Sequence, residues 1–307
     1  MLPFEETFSP ERANVITDLL CSLGFNRIVK FDMLEPEFHA LKTLHESGVK
    51  PKYLGLIAVC TGVIDFQLGF GGADRLWKTL VEIAGKFEDL NDLRQVELLM
   101  VSLLTEPVNR RSLQVKAARM RRIFDSGFAE WFIKEYDGLR QNPIVLWRRL
   151  SETLRSRMER KTMVFAMKAF DISHLICFGD YASFPWDIPI PVDFHIRNVT
   201  VSSGLLKRYE SDDSFRKAWI YVLKELKEKT GRNISLLRID SVVWQLGKIM
   251  YAAKYERKAS IEKIRRYMIE KIGVNTELAN RFAEELTLNI DKIAATNVAQ
   301  PFNFSFQ

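Results

Sequence analysis

The sequence predicts an all-α protein. Apolar residues recur at helical spacing along most of the chain, and Pro and Gly residues stand where these segments begin and end. No segment sustains the alternation of apolar and polar residues that is typical of a half-buried strand. With 307 residues the chain can bury a sizeable core, arranged as one helical body or as two lobes.

In the first half of the chain, helices are separated by clear breaks. Ser9-Pro10 begins a helix that ends before Gly24, and Pro36 begins another that Gly48 closes. Residues 53–69 are strongly apolar and indicate a buried helix, with Asp65 at an exposed end because an unpaired buried carboxylate is costly. Further helices are predicted over residues 73–87, 90–105, 127–140 and 143–157.

In the second half, a helical segment that begins at Lys161 is followed by a loop rich in Pro, Gly and aromatic residues. This loop ends at Asp193, where a helix to about Leu205 begins. Further helices are predicted over residues 212–229, 240–253, 260–272 and 276–295, followed by an irregular tail over 296–307.

Composition excludes several classes of protein. The three cysteines form no CxxC pair and the four histidines form no metal motif, which argues for a reducing interior without disulfides or a metal site. No apolar run of about 18 residues is free of charge, so we expect no membrane span. The net charge of +6 favours a polyanionic partner. We expect a cytoplasmic monomer that needs no cofactor.

The segment Arg110–Arg122, RRSLQVKAARMRR, holds six basic residues and no acidic one. On a helix, Lys116, Arg119 and Arg122 would share one side. The side chains either form a solvated face or contact phosphates. The candidates for phosphate contact are Arg110, Arg111, Lys116, Arg119 and Arg122.

Two lysines mark the apolar helix that starts at Lys161. Lys161 and Lys168 are seven residues apart, close to two helical turns, so both should point to the same side. Lys161 and Asp193 are candidates for a nucleophile and a base. The alternatives are that the Lys161 stem packs on apolar side chains while its amine reaches water, and that Asp193 is a helix N-cap.

The residues around Asp193 resemble a known motif. Residues 190–196, IPVDFHI, are similar to the [VI]-P-V-D-x-H motif that closes the hairpin in helix-hairpin-helix DNA glycosylases. The usual short Gly-Val-Gly hairpin is missing, and Lys161, in KTMVF, precedes the aspartate by 32 residues. This combination resembles the archaeal GO glycosylase family, which are 8-oxoguanine DNA glycosylases with lyase activity. The resemblance covers about residues 12–255.

The resemblance implies a helix-hairpin-helix fold and a division of the chain. Residues 1–255 would form the glycosylase domain, with or without two lobes flanking a base pocket, and residues 256–307 would form a helical extension with the irregular tail. By position, Lys161 matches the Schiff-base nucleophile of the family and Asp193 matches its catalytic aspartate.

The resemblance also implies a base pocket. Lys168 and Asp240 fall on a pocket lysine and a pocket aspartate, while Trp77 and Trp244 fall on tryptophans that stack on an extruded base. Without the resemblance, both tryptophans would be interpreted as core residues and Asp240 as an N-cap.

Two residues depart from the family pattern. Glu37 stands where the family has a glutamine, just after Pro36, and Asp65 stands where it has a small hydroxyl residue. A carboxylate accepts hydrogen bonds but cannot donate one unless it is protonated, whereas an amide does both. These departures leave the preferred base open.

The leading hypothesis is therefore a bifunctional glycosylase and lyase that removes 8-oxoguanine from damaged DNA through a Schiff base and β-elimination. A second hypothesis keeps the fold but assigns a different modified base. A third is a non-catalytic helical protein that binds DNA or serves as a scaffold.

Overall fold

The computed structural model describes residues 4–69 and 71–293. These residues form sixteen α-helices, a 3-10 turn at Pro107–Asn109 and a π-helical turn at Met268–Ile272, with one isolated β-bridge between Phe8 and Leu206. The all-α prediction is confirmed. Within these two ranges, no helix combines the length and the apolar character that crossing a bilayer requires.

The helices are numbered in chain order. They are α1 Phe4–Thr7, α2 Pro10–Leu23, α3 Phe25–Met33, α4 Pro36–Glu46, α5 Pro51–Ile64, α6 Gly72–Ala84, α7 Leu93–Thr105, α8 Leu113–Asp125, α9 Phe128–Gln141, α10 Pro143–Leu154, α11 Lys161–Phe178, α12 Phe194–Ser202, α13 Asp212–Thr230, α14 Leu236–Ala252, α15 Arg257–Tyr267 and α16 Thr276–Leu286.

The chain divides into two units. The central unit is Met33–Pro185. The terminal unit consists of the described residues of Met1–Asp32 and Trp186–Gln307. The chain therefore enters and leaves the central unit once each.

The central unit is built around the pair α5 and α11. Every residue of α5 from Leu54 to Ile64 is buried, which explains its uninterrupted apolar sequence. A Cβ atom added to Gly62 would lie 2.7 Å from the Cα atom of Ala166 in α11. The two backbones are therefore in direct contact, which only a residue without a side chain allows.

The terminal unit contains three packed helix pairs. Helix α2 packs on α13, α12 packs on α14, and α15 packs on α16. A Cβ atom added to Gly247 of α14 would lie 2.9 Å from the Cβ atom of His195 in α12. This contact holds α12 close against α14, the helix that carries Asp240 and Trp244.

The structure corrects several helix ends. The predicted helix at 240–253 begins at Leu236, because the Ser235 side chain caps it by accepting a hydrogen bond from the Leu237 N–H at 3.1 Å. Asp240 therefore lies inside α14, and its interpretation as an N-cap is wrong. The predicted helix at 53–69 ends at Ile64, so Asp65 is at a helix end as predicted, but it is buried rather than exposed.

Two further differences concern whole segments. Helix α3 was not predicted, and the helix predicted over 276–295 is interrupted: α16 ends at Leu286, a turn follows over 287–289, and residues 290–293 are helical again. The predicted irregular tail, 296–307, lies outside the described residues.

The contact between α5 and α11 gives a test of the core. We expect Gly62→Ala to lower the free energy of unfolding by about 1–3 kcal/mol, because the added methyl group forces two backbones apart. Urea unfolding measures the change. Gly138→Ala in α9 is the matched control, since its Cβ would meet nothing within 4 Å. It should leave stability unchanged or raise it by about 0.5–1 kcal/mol. Equal effects of the two changes would contradict the close approach.

Candidate active site

Lys161 is the first residue of α11 and is half-buried. The next residue, Thr162, accepts a hydrogen bond through its Oγ1 from the Arg119 guanidinium at 3.0 Å. The same guanidinium donates to the backbone oxygen of Val63 at 2.5 Å. The amide N–H groups at the start of a helix also carry partial positive charge. The beginning of α11 is therefore a positively charged environment that suits an anion such as a phosphodiester.

Lys168 lies two turns further along α11, and its side chain is only 1% exposed. Its Nζ is 2.6 Å from a carboxylate oxygen of Glu35 and 3.8 Å from one of Glu37. Burial raises the pKa of Glu37 well above its usual range, and the adjacent Glu35 raises it further, while Lys168 acts in the opposite direction. The structure thus brings Lys168 and Glu37 together, with Glu35 as a partner that the sequence did not reveal.

Asp65 and Trp77 also meet inside the central unit. The indole N–H of Trp77 donates a hydrogen bond to a carboxylate oxygen of Asp65 at 3.1 Å, and both side chains are buried. Asp65 is the C-cap residue of α5. Burying a carboxylate without hydrogen-bond donors is costly, and the bond from Trp77 offsets part of this cost for Asp65.

The basic helix α8 presents one side to the protein interior. Lys116 is fully buried, and its ammonium donates to Asn109 at 3.0 Å, while Arg122 donates to the backbone oxygen of Leu154 at 3.1 Å. Burial lowers the pKa of Lys116 to about 8; the Asp65 carboxylate opposes this shift and Arg119 adds to it.

The three side chains of the shared side differ in burial: Lys116 is buried, Arg119 is half-buried and Arg122 is exposed. The Lys116 ammonium is fully buried, so a phosphate contact at this residue requires its neighbours to move. Arg110 and Arg111, which precede α8, are exposed. For these two residues, and for Arg119 and Arg122, the phosphate contact stays a prediction.

Asp193 is the N-cap of α12. One carboxylate oxygen accepts a hydrogen bond from the Ile196 N–H at 2.9 Å, and the side chain is half-buried. The capping role is thus observed. Because the bond uses one oxygen of the carboxylate, it leaves the second oxygen to other contacts.

Asp240 and Trp244 are one turn apart on α14. Asp240 is buried, and Trp244 is half-buried. The imidazole of His195 meets the Trp244 indole edge to face, with ring centroids 5.7 Å apart, and the Lys248 ammonium lies 5.1 Å from the indole centroid. His195, within the IPVDFHI motif, therefore helps to orient the tryptophan.

A buried polar network fixes the start of α14. Arg238 forms an ion pair with Asp32 at 2.5 Å, and Ser241 donates to the second carboxylate oxygen of Asp32. One turn on, Gln245 donates to the backbone oxygen of Phe31 at 2.5 Å. The sequence did not reveal this network, because Asp32 and Arg238 lie in segments far apart along the chain.

The hydrogen bond of Trp77 gives a second test. We expect Trp77→Phe to cost about 2–4 kcal/mol of unfolding free energy, since it removes a donor to a buried carboxylate and leaves a cavity. Trp131→Phe is the matched control, because Trp131 is half-buried and lies 4.2 Å below the Arg149 guanidinium. It should cost about 1 kcal/mol or less. Similar losses in the two variants, measured by urea unfolding, would contradict this account of Asp65.

Comparison with known proteins adds to this geometry. The chain is 23% identical over 244 residues to an N-glycosylase/DNA lyase of Pyrobaculum aerophilum, covering 76% of this chain and 85% of that protein. It is 25% identical over 250 residues to an N-glycosylase/DNA lyase of Thermococcus kodakarensis, covering 76% and 83%. A third N-glycosylase/DNA lyase, from Nanoarchaeum equitans, is 26% identical over 216 residues, covering 70% and 82%.

The fold is similar to a solved structure. The crystal structure of Pa-AGOG, an 8-oxoguanine DNA glycosylase from Pyrobaculum aerophilum complexed with 8-oxoguanosine, superposes with a TM-score of 0.63. The match covers 90% of this chain and 97% of that one at 18% sequence identity. This likeness supports the all-α architecture.

A family model described as AGOG, N-glycosylase/DNA lyase, matches residues 17–281. The match extends beyond residue 255, where the resemblance noted in the sequence ended, and it includes α15 and part of α16. It also includes Lys161 and Asp193. The chain belongs to the AGOG family of N-glycosylase/DNA lyases.

Proposed function

We propose that this protein removes 8-oxoguanine from damaged duplex DNA and then cleaves the strand at the abasic site. It would act as a monomer bound to the chromosome. The observation that carries the proposal is the family match over residues 17–281, which includes both Lys161 and Asp193. Pa-AGOG, the similar solved structure, is described as an 8-oxoguanine DNA glycosylase.

Lys161 is assigned as the nucleophile. Its amine attacks the sugar carbon C1′, and the bond between C1′ and the base nitrogen breaks, with the electron pair leaving on the base. Loss of a proton and opening of the sugar give a Schiff base between Lys161 and C1′. Removal of a proton from C2′ then expels the 3′ phosphate by β-elimination. The positive environment at the start of α11 supports this role, since it favours a phosphodiester near Lys161.

Asp193 is assigned as the carboxylate that assists this reaction. It accepts a proton from the attacking amine or stabilises the positive charge that develops on the sugar. The N-cap bond to Ile196 supports the assignment, because it holds the carboxylate in one orientation. Both roles need the ionised form.

Four side chains are assigned to contacts with the extruded base. Trp244 offers indole surface for stacking, and Lys168 and Asp240 offer a donor and an acceptor. Trp77, Lys168 and Asp240 are all buried, so contact with them requires their neighbours to move when the base binds.

Contacts with the DNA backbone are assigned to a basic part of the central unit that includes Arg110 and Arg111. Residues 110–161 contain fourteen Lys or Arg and six Asp or Glu. Such an excess favours phosphate contacts, and binding should weaken steeply as salt concentration rises.

A different modified base is the second candidate, because Glu37 and Asp65 are acidic where the family pattern is not. Duplexes that carry 8-oxoguanine, other oxidised bases or deaminated bases separate the two candidates. A non-catalytic DNA-binding protein would release no base from any of them.

The nucleophile assignment is tested by borohydride trapping on such duplexes. We expect the wild-type protein to form a covalent adduct, because reduction fixes the Schiff base, and Lys161→Ala to form none. Lys134→Ala, which removes an exposed lysine of α9, is the control and should trap like the wild type. An adduct formed by the Lys161→Ala protein would assign the reaction to another amine.

The two roles of Asp193 are separated by a pair of variants. Asp193→Asn keeps an N-cap acceptor, so we expect an unchanged thermal midpoint but a rate of base excision lowered by about 10²–10⁴-fold. Asp193→Ala loses both roles and should also lose about 1 kcal/mol of stability. Single-turnover kinetics and thermal unfolding give the two readouts. If Asp193→Asn excises the base at the wild-type rate, Asp193 is a cap alone.

A further inference from the structure

The buried cluster of Glu35, Glu37 and Lys168 contains two carboxyl groups and one ammonium. The three side chains are 1–3% exposed. Glu35 is the N-cap residue of α4, and Glu37 lies in the first turn of the same helix, with Pro36 between them. The rigid helix start therefore holds the two carboxyl groups on the same lysine.

The geometry distinguishes the two glutamates. The Lys168 ammonium lies 2.6 Å from Glu35 and 3.8 Å from Glu37, so Glu35 is the direct ion-pair partner. Two ionised carboxylates this close in a buried site repel each other strongly, and one ammonium compensates only one of them. One proton on the pair removes this repulsion, and it belongs on the glutamate that is farther from Lys168. The hydroxyl of Glu37 then donates to the ionised Glu35.

Helix α4 also has other charged and titratable neighbours. Helix α4 packs against α5, α6 and α11. In the described chain, the pKa of Glu37 is shifted by burial, by Glu35 and by Lys168. The other charged or titratable side chains on these helices are His39, Lys42, His45 and Glu46 on α4, Lys52, Tyr53 and Cys60 on α5, Asp74, Arg75, Lys78 and Glu82 on α6, and Lys161, Asp171, His174 and Cys177 on α11.

We propose that Glu37 is a neutral carboxylic acid that replaces a glutamine, with Glu35 as the positioning residue that keeps the proton on it. The O–H of Glu37 donates to Glu35 as an amide N–H would, and its carbonyl oxygen is a neutral acceptor, as in an amide. On the proposed function, on which this last step rests, that oxygen accepts an N–H of the extruded base once the groups that bury Glu37 have moved aside. Glu35 acts through Glu37 and Lys168 and does not touch the base.

The proton is tested without any substrate. Native Glu37 holds a proton that the unfolded chain releases above its ordinary pKa, so raising the pH favours unfolding. The ratio of the unfolding equilibrium constants of the wild type and Glu37→Gln should rise about tenfold per pH unit between pH ~5 and ~7. Glu35→Gln leaves Glu37 as the ionised partner of Lys168 and should remove the same pH dependence. Glu46→Gln, at an exposed position of α4, should retain it.

A ratio that does not change with pH means that both glutamates are ionised, and this overturns the proposal. The Glu37→Gln protein keeps the ion pair between Glu35 and Lys168, so it is expected to fold even where Glu35→Gln does not. The pH dependence of unfolding of the wild type relative to Glu37→Gln is then sufficient to decide whether Glu37 holds the proton.

The role at the base is tested by single-turnover excision. We expect Glu37→Gln to excise the preferred base within about threefold of the wild-type rate, because the amide preserves both hydrogen bonds, and Glu37→Ala to lose about tenfold or more. A large loss of excision rate in Glu37→Gln would overturn the proposal that Glu37 acts as a neutral acid in place of a glutamine. If the wild type excises no base while the pH dependence of unfolding is present, the proposed function fails and the buried proton stands.

Discussion

The contact between the backbones of α5 and α11 is the constraint on which the central unit depends. Gly62 has no side chain, so α11 lies against α5 at Ala166. The end of α5 then reaches Arg119, whose guanidinium joins the backbone oxygen of Val63 to the start of α11. Lys161 begins α11 at this point. The position of the proposed nucleophile therefore depends on a contact between two apolar helices.

Sequence patterns predicted the features that depend on residues close together in the chain. The apolar spacing of α11 and the capping position of Asp193 follow from residues that are neighbours in the chain, so both were predictable. The inward side of α8 was not, because helical spacing shows that Lys116 shares a side with Arg119 and does not show which side is buried. The partners of Lys168 and Arg238 were also hidden, since Glu35 and Asp32 meet them only after folding.

Glu37 and Asp65, the two acidic residues predicted to depart from the family pattern, have different explanations. The Asp65 carboxylate accepts a hydrogen bond from the Trp77 indole. This contact assigns Asp65 to the packing of the central unit. Glu37 shares a buried site with a second carboxyl group and a lysine, where burial and Glu35 raise its pKa. An acidic residue in the sequence therefore indicates neither a negative charge nor a direct contact with a base.

The ion pair between Glu35 and Lys168 also makes the stability of the central unit depend on temperature. Removing both charged groups from water is costly at room temperature, but their hydration becomes less favourable as temperature rises. The cost of burying the pair therefore falls on warming, while its electrostatic attraction remains. The arrangement that fixes Lys168 is better suited to a hot environment than to a cold one.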